Sequence, residues 1–209
     1  MPPRRNTSER RAEIVDALLR VMADQGWAKA TIARIAREAG LTPGLLHYHF
    51  QSKQEILLEL VHRIESEHEA RIQRLSKEAK TPTQRVRAMV LAYLKAGDEV
   101  DASAVASWVT IVAEAIRQPE VRDAFSEAIG RLTAPMRSAI QDGMDAKEFS
   151  TGALDAEACA AAVMACVQGY YNLGVAARDT VPRGSAAPAS LRMVAGLLGI
   201  ADVDGFSKL

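Results

Sequence analysis

Several features that would place this chain among enzymes or membrane proteins are missing from its sequence. No Cys/His set has metal-ligand spacing, no nucleophile elbow stands out, and no glycine-rich loop is set to cradle phosphate, so neither catalysis nor a bound metal or cofactor is expected. No apolar run approaches the length of a membrane span, and the N-terminal MPPRRNTSERR lacks the apolar region of a signal peptide. Together these predict a cytoplasmic protein. Only two cysteines are present. Cys159 and Cys166 are seven apart on one expected helix, about 10 Å along its axis, too far to bridge within one chain, so both are read as free, core-like thiols. Strand-like period-two alternation and internal repeats are absent as well.

What is present suits a small globular protein. At 209 residues, 48% hydrophobic and 25% charged, the chain can bury a substantial core as one small and one larger domain. Net charge is zero, but its distribution is uneven: residues 1–53 hold nine Lys/Arg against five Asp/Glu, and the remaining 156 hold seventeen against twenty-one. An N-terminal segment near +4 joined to a body near −4 concentrates attraction for phosphate at one end.

That basic segment contains the most informative stretch, TIARIAREAGLTPGLLHYHFQSK, residues 31–53. Thr31 can cap a short helix whose Ile32, Ile35, Ala36 and Ala39 share one face, and Gly40 suits the left-handed position that ends it. Leu41 turns inward. Thr42 is a second N-cap and Pro43 sits at the first helical position, where its missing N–H costs nothing. Leu46 and Phe50 face the core, leaving Pro43, Gly44, His47 and Tyr48 outward near the N-terminus of this second helix. Ser52-Lys53-Gln54-Glu55 has capping-box spacing and opens a long helix, and its free N–H groups together with Lys53 form a phosphate clamp. Two short helices around a tight turn are the layout of a helix-turn-helix reader of DNA.

On these residues the chain resembles the tetracycline-repressor family. The matching positions are Thr31, Ile35-Ala36, Ala39-Gly40, Thr42-Pro43-Gly44, His47-Tyr48-His49-Phe50 and Ser52-Lys53. Two positions depart from the family pattern: His47 stands where many members carry Tyr, and Leu45 where a small polar phosphate contact is common. The resemblance implies a DNA surface of Thr31, Thr42, Pro43, Gly44, His47, Tyr48, His49 and Lys53. In it Lys53, Tyr48, His49 and Thr42 bond phosphates, while His47 reads base edges at close approach over Pro43 and Gly44. The segment from Ala113 to Pro119, with Gly169-Tyr170-Tyr171, is similar to the BetI-like branch of that family.

The rest of the chain reads as helices. Residues 8–26 carry Ile14, Val15, Leu18, Leu19 and Met22 on one stripe, ended by Gly26, with the basic MPPRRN ahead as an arm. A long helix over 53–79 is apolar at Ile56, Leu57, Leu60, Val61 and Ile64 and polar later, with His62 and His68 on its surface. Thr81 and Gln84 cap a helix running to about 97, and others are expected at 101–117, 120–144, 155–178 and 189–199. The result is an all-α chain of roughly nine helices: a DNA-binding domain over 1–53, a ligand-binding and dimerisation domain over 54–200, joined by the 53–79 helix, and a tail over 201–209.

Two parts of the body are candidates for function. Ala158, Ala162, Ala165 and Gly169 permit close helix approach, and Leu191, Val194 and Leu198 form an apolar stripe on the following helix. The resemblance implies that these two helices pair with their mates in a homodimer, and a two-fold dimer predicts a palindromic operator. The resemblance further implies a small-molecule inducer among the middle helices, with Met89, Tyr93, Trp108, Val112, Glu114, Met164, Gln168 and Tyr171 as candidate lining. Residues of these types at helical spacing are more often plain core than pocket lining, and both readings stay open. Ser107, Thr110 and Glu114 make a polar stripe, and an unpaired, cavity-facing Glu114 would favour a cationic or hydrogen-bond-donating inducer.

The expected function is therefore a ligand-responsive, homodimeric repressor released from double-stranded DNA by its inducer. The competing reading is a helical dimeric module that binds a small molecule or a protein and no DNA. An enzyme is not expected, since His47 and His49, two apart on a helix, point away from each other.

Overall fold

The computed structural model describes residues 6–94 and 102–207, and every regular element among them is helical. The α-helices are α1 (Thr7–Gln25), α2 (Ile32–Glu38), α3 (Pro43–His49), α4 (Lys53–Ser76), α5 (Pro82–Leu94), α6 (Ala102–Ala115), α7 (Pro119–Asp145), α8 (Ala156–Ala176), α9 (Ala186–Leu198) and α10 (Val203–Ser207). Two short 3₁₀ turns, Trp27–Lys29 and Arg178–Thr180, complete the described chain. Residues 1–5 of the expected arm MPPRRN and the last turn expected beyond Leu94 lie outside the described residues, and Asn6 belongs to the cap of α1.

By contact the chain divides into two compact units, Met1–Ile64 with Asp101–Ala128 and Glu65–Val100 with Ile129–Leu209. In the first, Asn6 opens α1 with a capping box in which Glu9 reaches back to the Asn6 N–H, and Gly26 closes it at φ 77°. Ile14, Leu18, Ile35, Leu46, Phe50, Ile56, Leu57 and Leu60 are all fully buried here. Each contributes about 1.5–3 kcal/mol on leaving water, so the short helices α2 and α3 depend on this shared core rather than on their own length. Helix α6 packs on α1 within the same unit, a grouping that periodicity does not reveal.

In the second unit α5, α8 and α9 pack together, with Val86, Val90, Val163, Val167, Leu191, Val194 and Leu198 in the core. Three expectations are corrected here. Helix α9 begins at Ala186, ahead of Pro188, because a proline in a helix's first turn forfeits only an N–H that has no intrahelical acceptor. The residues read as a tail contain α10, whose Phe206 is buried and whose carbonyl accepts from Arg87 Nε at 2.9 Å. Helix α8 is long and apolar enough to cross a membrane by length and composition, although most of that stretch is not buried within the chain. The sequence had suggested no such run, because its alanines are weakly apolar one by one.

Candidate nucleic-acid interface

Two threonines build the reader. Thr31 Oγ1 accepts the Arg34 N–H at 3.3 Å and Thr42 Oγ1 accepts the Leu45 N–H at 3.2 Å, so each caps the helix it precedes. A hydroxyl that accepts still has its own proton, so both exposed threonines keep a donor for phosphate. Gly40, at φ 67°, makes the turn between α2 and α3, and the Leu41 N–H closes it onto the Ala36 carbonyl at 2.8 Å.

Helix α3 buries one residue, Leu46, and Phe50 follows it into the core. Pro43, Gly44, Leu45, His47 and Tyr48 are exposed, Tyr48 to 76%. A Cβ on Gly44 would meet nothing within 4 Å, so the chain's own packing does not require glycine there. Glycine in a helix costs up to about 1 kcal/mol against alanine, and here its advantage is open access to the backbone from outside. The His49 ring stands edge-on to Tyr48 at 5.1 Å. His49 Nδ1 is buried with no hydrogen-bond partner among the described residues, leaving Nε2 as the ring nitrogen able to meet a phosphate.

At the start of α4, Ser52 Oγ accepts the Glu55 N–H at 3.1 Å. The reciprocal bond runs from the Gln51 N–H to Glu55 at 2.7 Å, one residue ahead of the expected box. Lys53, expected to join these N–H groups in a phosphate clamp, is itself held by the chain. Its Nζ donates to the Trp27 carbonyl at 3.2 Å and lies 4.1 Å from the centre of the Trp27 ring, a cation–π contact. Burial lowers its pKa and the Glu114 carboxylate opposes that shift. Two N–H donors remain for phosphate, on an ammonium already held in place. Trp27 had not been singled out, since nothing in sequence spacing pairs a residue of a 3₁₀ turn with one 26 positions later.

The candidate ligand residues fall in two groups. In the first unit Trp108 is buried against Phe125 with ring centres 4.9 Å apart, Val112 is half-buried, and Glu114 accepts from Gln118 Nε2 at 2.7 Å. The carboxylate therefore has a partner, and an unpaired Glu114 selecting a cationic inducer, as expected from the sequence, is not what the structure contains. Thr110 bonds back to the Ala106 carbonyl at 2.9 Å, whereas Ser107, 2% exposed, has a hydroxyl with no partner among the described residues.

In the second unit Tyr93, Tyr171 and His68 come together. Tyr171 donates to the Tyr93 carbonyl at 2.7 Å and Tyr93 to the Leu132 carbonyl at 2.9 Å. With its proton so used, the Tyr171 oxygen accepts from His68 Nε2 at 3.2 Å, which puts the imidazole proton on Nε2. Burial raises the pKa of both phenols. His68, expected on the surface, belongs to this cluster. Met164 Sδ lies 3.8 Å from Gln168 Nε2, and Met89 is core.

The paired-helix surface also needs correction. Ala158, Ala162 and Ala165 are exposed and Gly169 half-buried, but Leu191, Val194 and Leu198 are at most 2% exposed within one chain. Leu191 and Leu198 have no area left for a partner and Val194 keeps only an edge, because α9 turns its strongest apolar stripe onto its own unit. The uncovered apolar residues are Leu173 and Met193, 48% and 59% exposed, with a depression lined by Ala162, Val163, Cys166, Met193, Val194 and Leu197. Cys166 there lies 3.3 Å from Ser190 Oγ, and Cys159 is buried; both are free thiols.

The chain matches the model of bacterial regulatory proteins of the tetR family over residues 14–60, and that of the BetI-type transcriptional repressor C-terminal domain over residues 82–199. It is 35% identical over 162 residues to the HTH-type transcriptional regulator BetI of Rhizobium meliloti (strain 1021), covering 78% of this chain and 76% of the relative. The fold is similar to a TetR transcription regulator of Haloarcula marismortui, with TM-score 0.78 at 20% identity, covering 92% of this chain and 97% of that one. A Saccharomonospora viridis protein in complex with choline is similar too, with TM-score 0.75 at 23% identity, covering 92% and 96%.

Proposed function

The chain belongs to the tetR family of bacterial regulatory proteins, with a BetI-type repressor C-terminal domain, and from this premise we propose that it is a cytoplasmic homodimer released from a palindromic operator by a small-molecule inducer. It is a DNA-binding transcriptional regulator. One observation carries the assignment of roles: α3 hides Leu46 and Phe50 while exposing Pro43, Gly44, His47 and Tyr48 on a single surface. Tyr48, His49 Nε2, the Thr31 and Thr42 hydroxyls and Lys53 donate to backbone phosphates and set register. His47 reads base edges, and Leu45, exposed on the same helix, offers an apolar surface to a thymine methyl.

The dimer forms through α8 and α9, whose uncovered alanines, Leu173 and Met193 would otherwise remain in water. Two-fold symmetry sets two copies of α3 about 34–36 Å apart, one turn of DNA. The inducer binds within the second unit, against Tyr93, Met164, Gln168 and Tyr171. It favours the form in which the recognition helices leave operator spacing, with α4 carrying the displacement from its start at Lys53. Linkage limits its effect to its preference between the two forms.

Selection of bound sequences from a random duplex library, at near-physiological salt where non-specific binding is weak, tests this reading. An inverted repeat is the expected outcome; a folded dimer that enriches no sequence would replace it with the ligand- or protein-binding module. On the selected operator, His47→Ala relaxes sequence preference by about 1–3 kcal/mol at one base position. Lys53→Ala weakens all duplexes alike and reduces the salt slope by about one. Equal loss of specificity in both variants contradicts this division of roles.

A further inference from the structure

Arg11, in the second turn of α1, spreads one guanidinium over the C-terminal end of the recognition helix and the residues that link it to α4. Its Nη1 donates to the His49 carbonyl at 2.6 Å, and its Nη2 donates to Glu59 Oε2 at 2.7 Å. Glu55 Oε1 lies 3.5 Å from Nη1, and the guanidinium carbon sits 3.9 Å from the centre of the Phe50 ring. His49 is the last residue of α3, where carbonyls lack helical donors and the negative end of the helix dipole lies. Glu55 also accepts the Gln51 N–H, so the same network pins the link between α3 and α4.

Helix α3 needs such a device. It has seven residues and one buried anchor, Leu46, so rotation about that anchor is resisted at its N-terminus by the Thr42 cap and at its C-terminus by Arg11. Reading a base edge demands placement within roughly 0.5 Å and 10–20°. A lysine could supply the charge but not the planar fork that bonds a carbonyl and a carboxylate while stacking on a ring. We infer that Arg11 is a positioning residue for sequence reading: by clamping His49, Phe50 and Glu59 it fixes the angle of α3 without itself touching DNA. This rests on α3 being the DNA reader.

The test compares affinity for the selected operator with affinity for a scrambled duplex of equal length, at two salt concentrations. Arg11→Lys should cut the operator-to-scrambled ratio by about tenfold or more, the worth of one good base contact, while scrambled-duplex affinity and salt slope stay as in the wild type. Glu59→Gln should lower the ratio less, though it makes the protein more positive, so a loss in both variants cannot arise from net charge. A wild-type ratio in Arg11→Lys overturns the inference. So does an equal loss on both duplexes with a shallower salt slope, which would make Arg11 a phosphate contact. If Arg11→Lys melts below the assay temperature, Glu59→Gln decides alone: a reduced ratio supports the clamp and an unchanged one overturns it. Lack of discrimination by the wild type would instead remove the DNA-reading assignment, and the clamp with it.

Discussion

Helix α3 has seven residues and buries one of them, whereas α8 has twenty-one and buries six, yet α8 is the helix with apolar surface left over. In α3 the exposed positions carry a glycine, a proline, a histidine and a tyrosine, groups that tolerate water and offer donors or access, with Leu45 the one aliphatic side chain among them. In α8 the exposed positions are mainly alanines together with Leu173, which offer nothing to water and fit a close helix partner. The reader is thus complete in one chain and lacks only DNA. The α8–α9 face leaves Leu173 and Met193 in water in a single chain, and the proposed dimer would cover them.

The largest test of this contrast is Leu46→Ala. Removing the single anchor of α3 should cost about 2–5 kcal/mol and abolish operator binding, while helix content falls only slightly. Urea unfolding with circular dichroism reads both, and an unchanged midpoint would mean α3 has other anchors. Next comes a pair on the α8–α9 side. Leu191→Ala should lower folding stability by about 2–5 kcal/mol with the dimer constant intact, because Leu191 is buried within one chain. Ala162→Glu should leave folding stability alone and weaken dimerisation by about 2–5 kcal/mol, at least tenfold in the constant measured by sedimentation. If the two effects are exchanged, the corrected assignment of faces fails. The smallest effect is Thr42→Ala, about 1 kcal/mol from the lost cap, which Thr42→Asn should restore in thermal melts.

The reader was legible because its signals are local. Thr31, Gly40, Thr42 and Pro43 act within a turn of where they stand, so caps and the tight turn can be read residue by residue. The α9 face was not legible in the same way. Leu191, Val194 and Leu198 form a stripe by sequence, but whether it turns inward or toward a partner is decided by α5 and α8, far away in the chain. Long-range side-chain pairs escaped for the same reason: Arg11 meets His49 across 38 positions, Lys53 meets Trp27 across 26, and His68 meets Tyr171 across 103. Glu114 shows the converse, a residue assigned a ligand role whose carboxylate accepts from Gln118, four positions on and just past the end of α6.

The lone leucine that anchors α3 also bears on how such a protein changes over generations. Five of the seven α3 positions take no part in the core, so substitutions at 43, 44, 45, 47 or 48 alter what the helix meets outside while the fold persists. A duplicated copy of this gene could drift toward a new operator through those five codons alone, without passing through an unfolded ancestor.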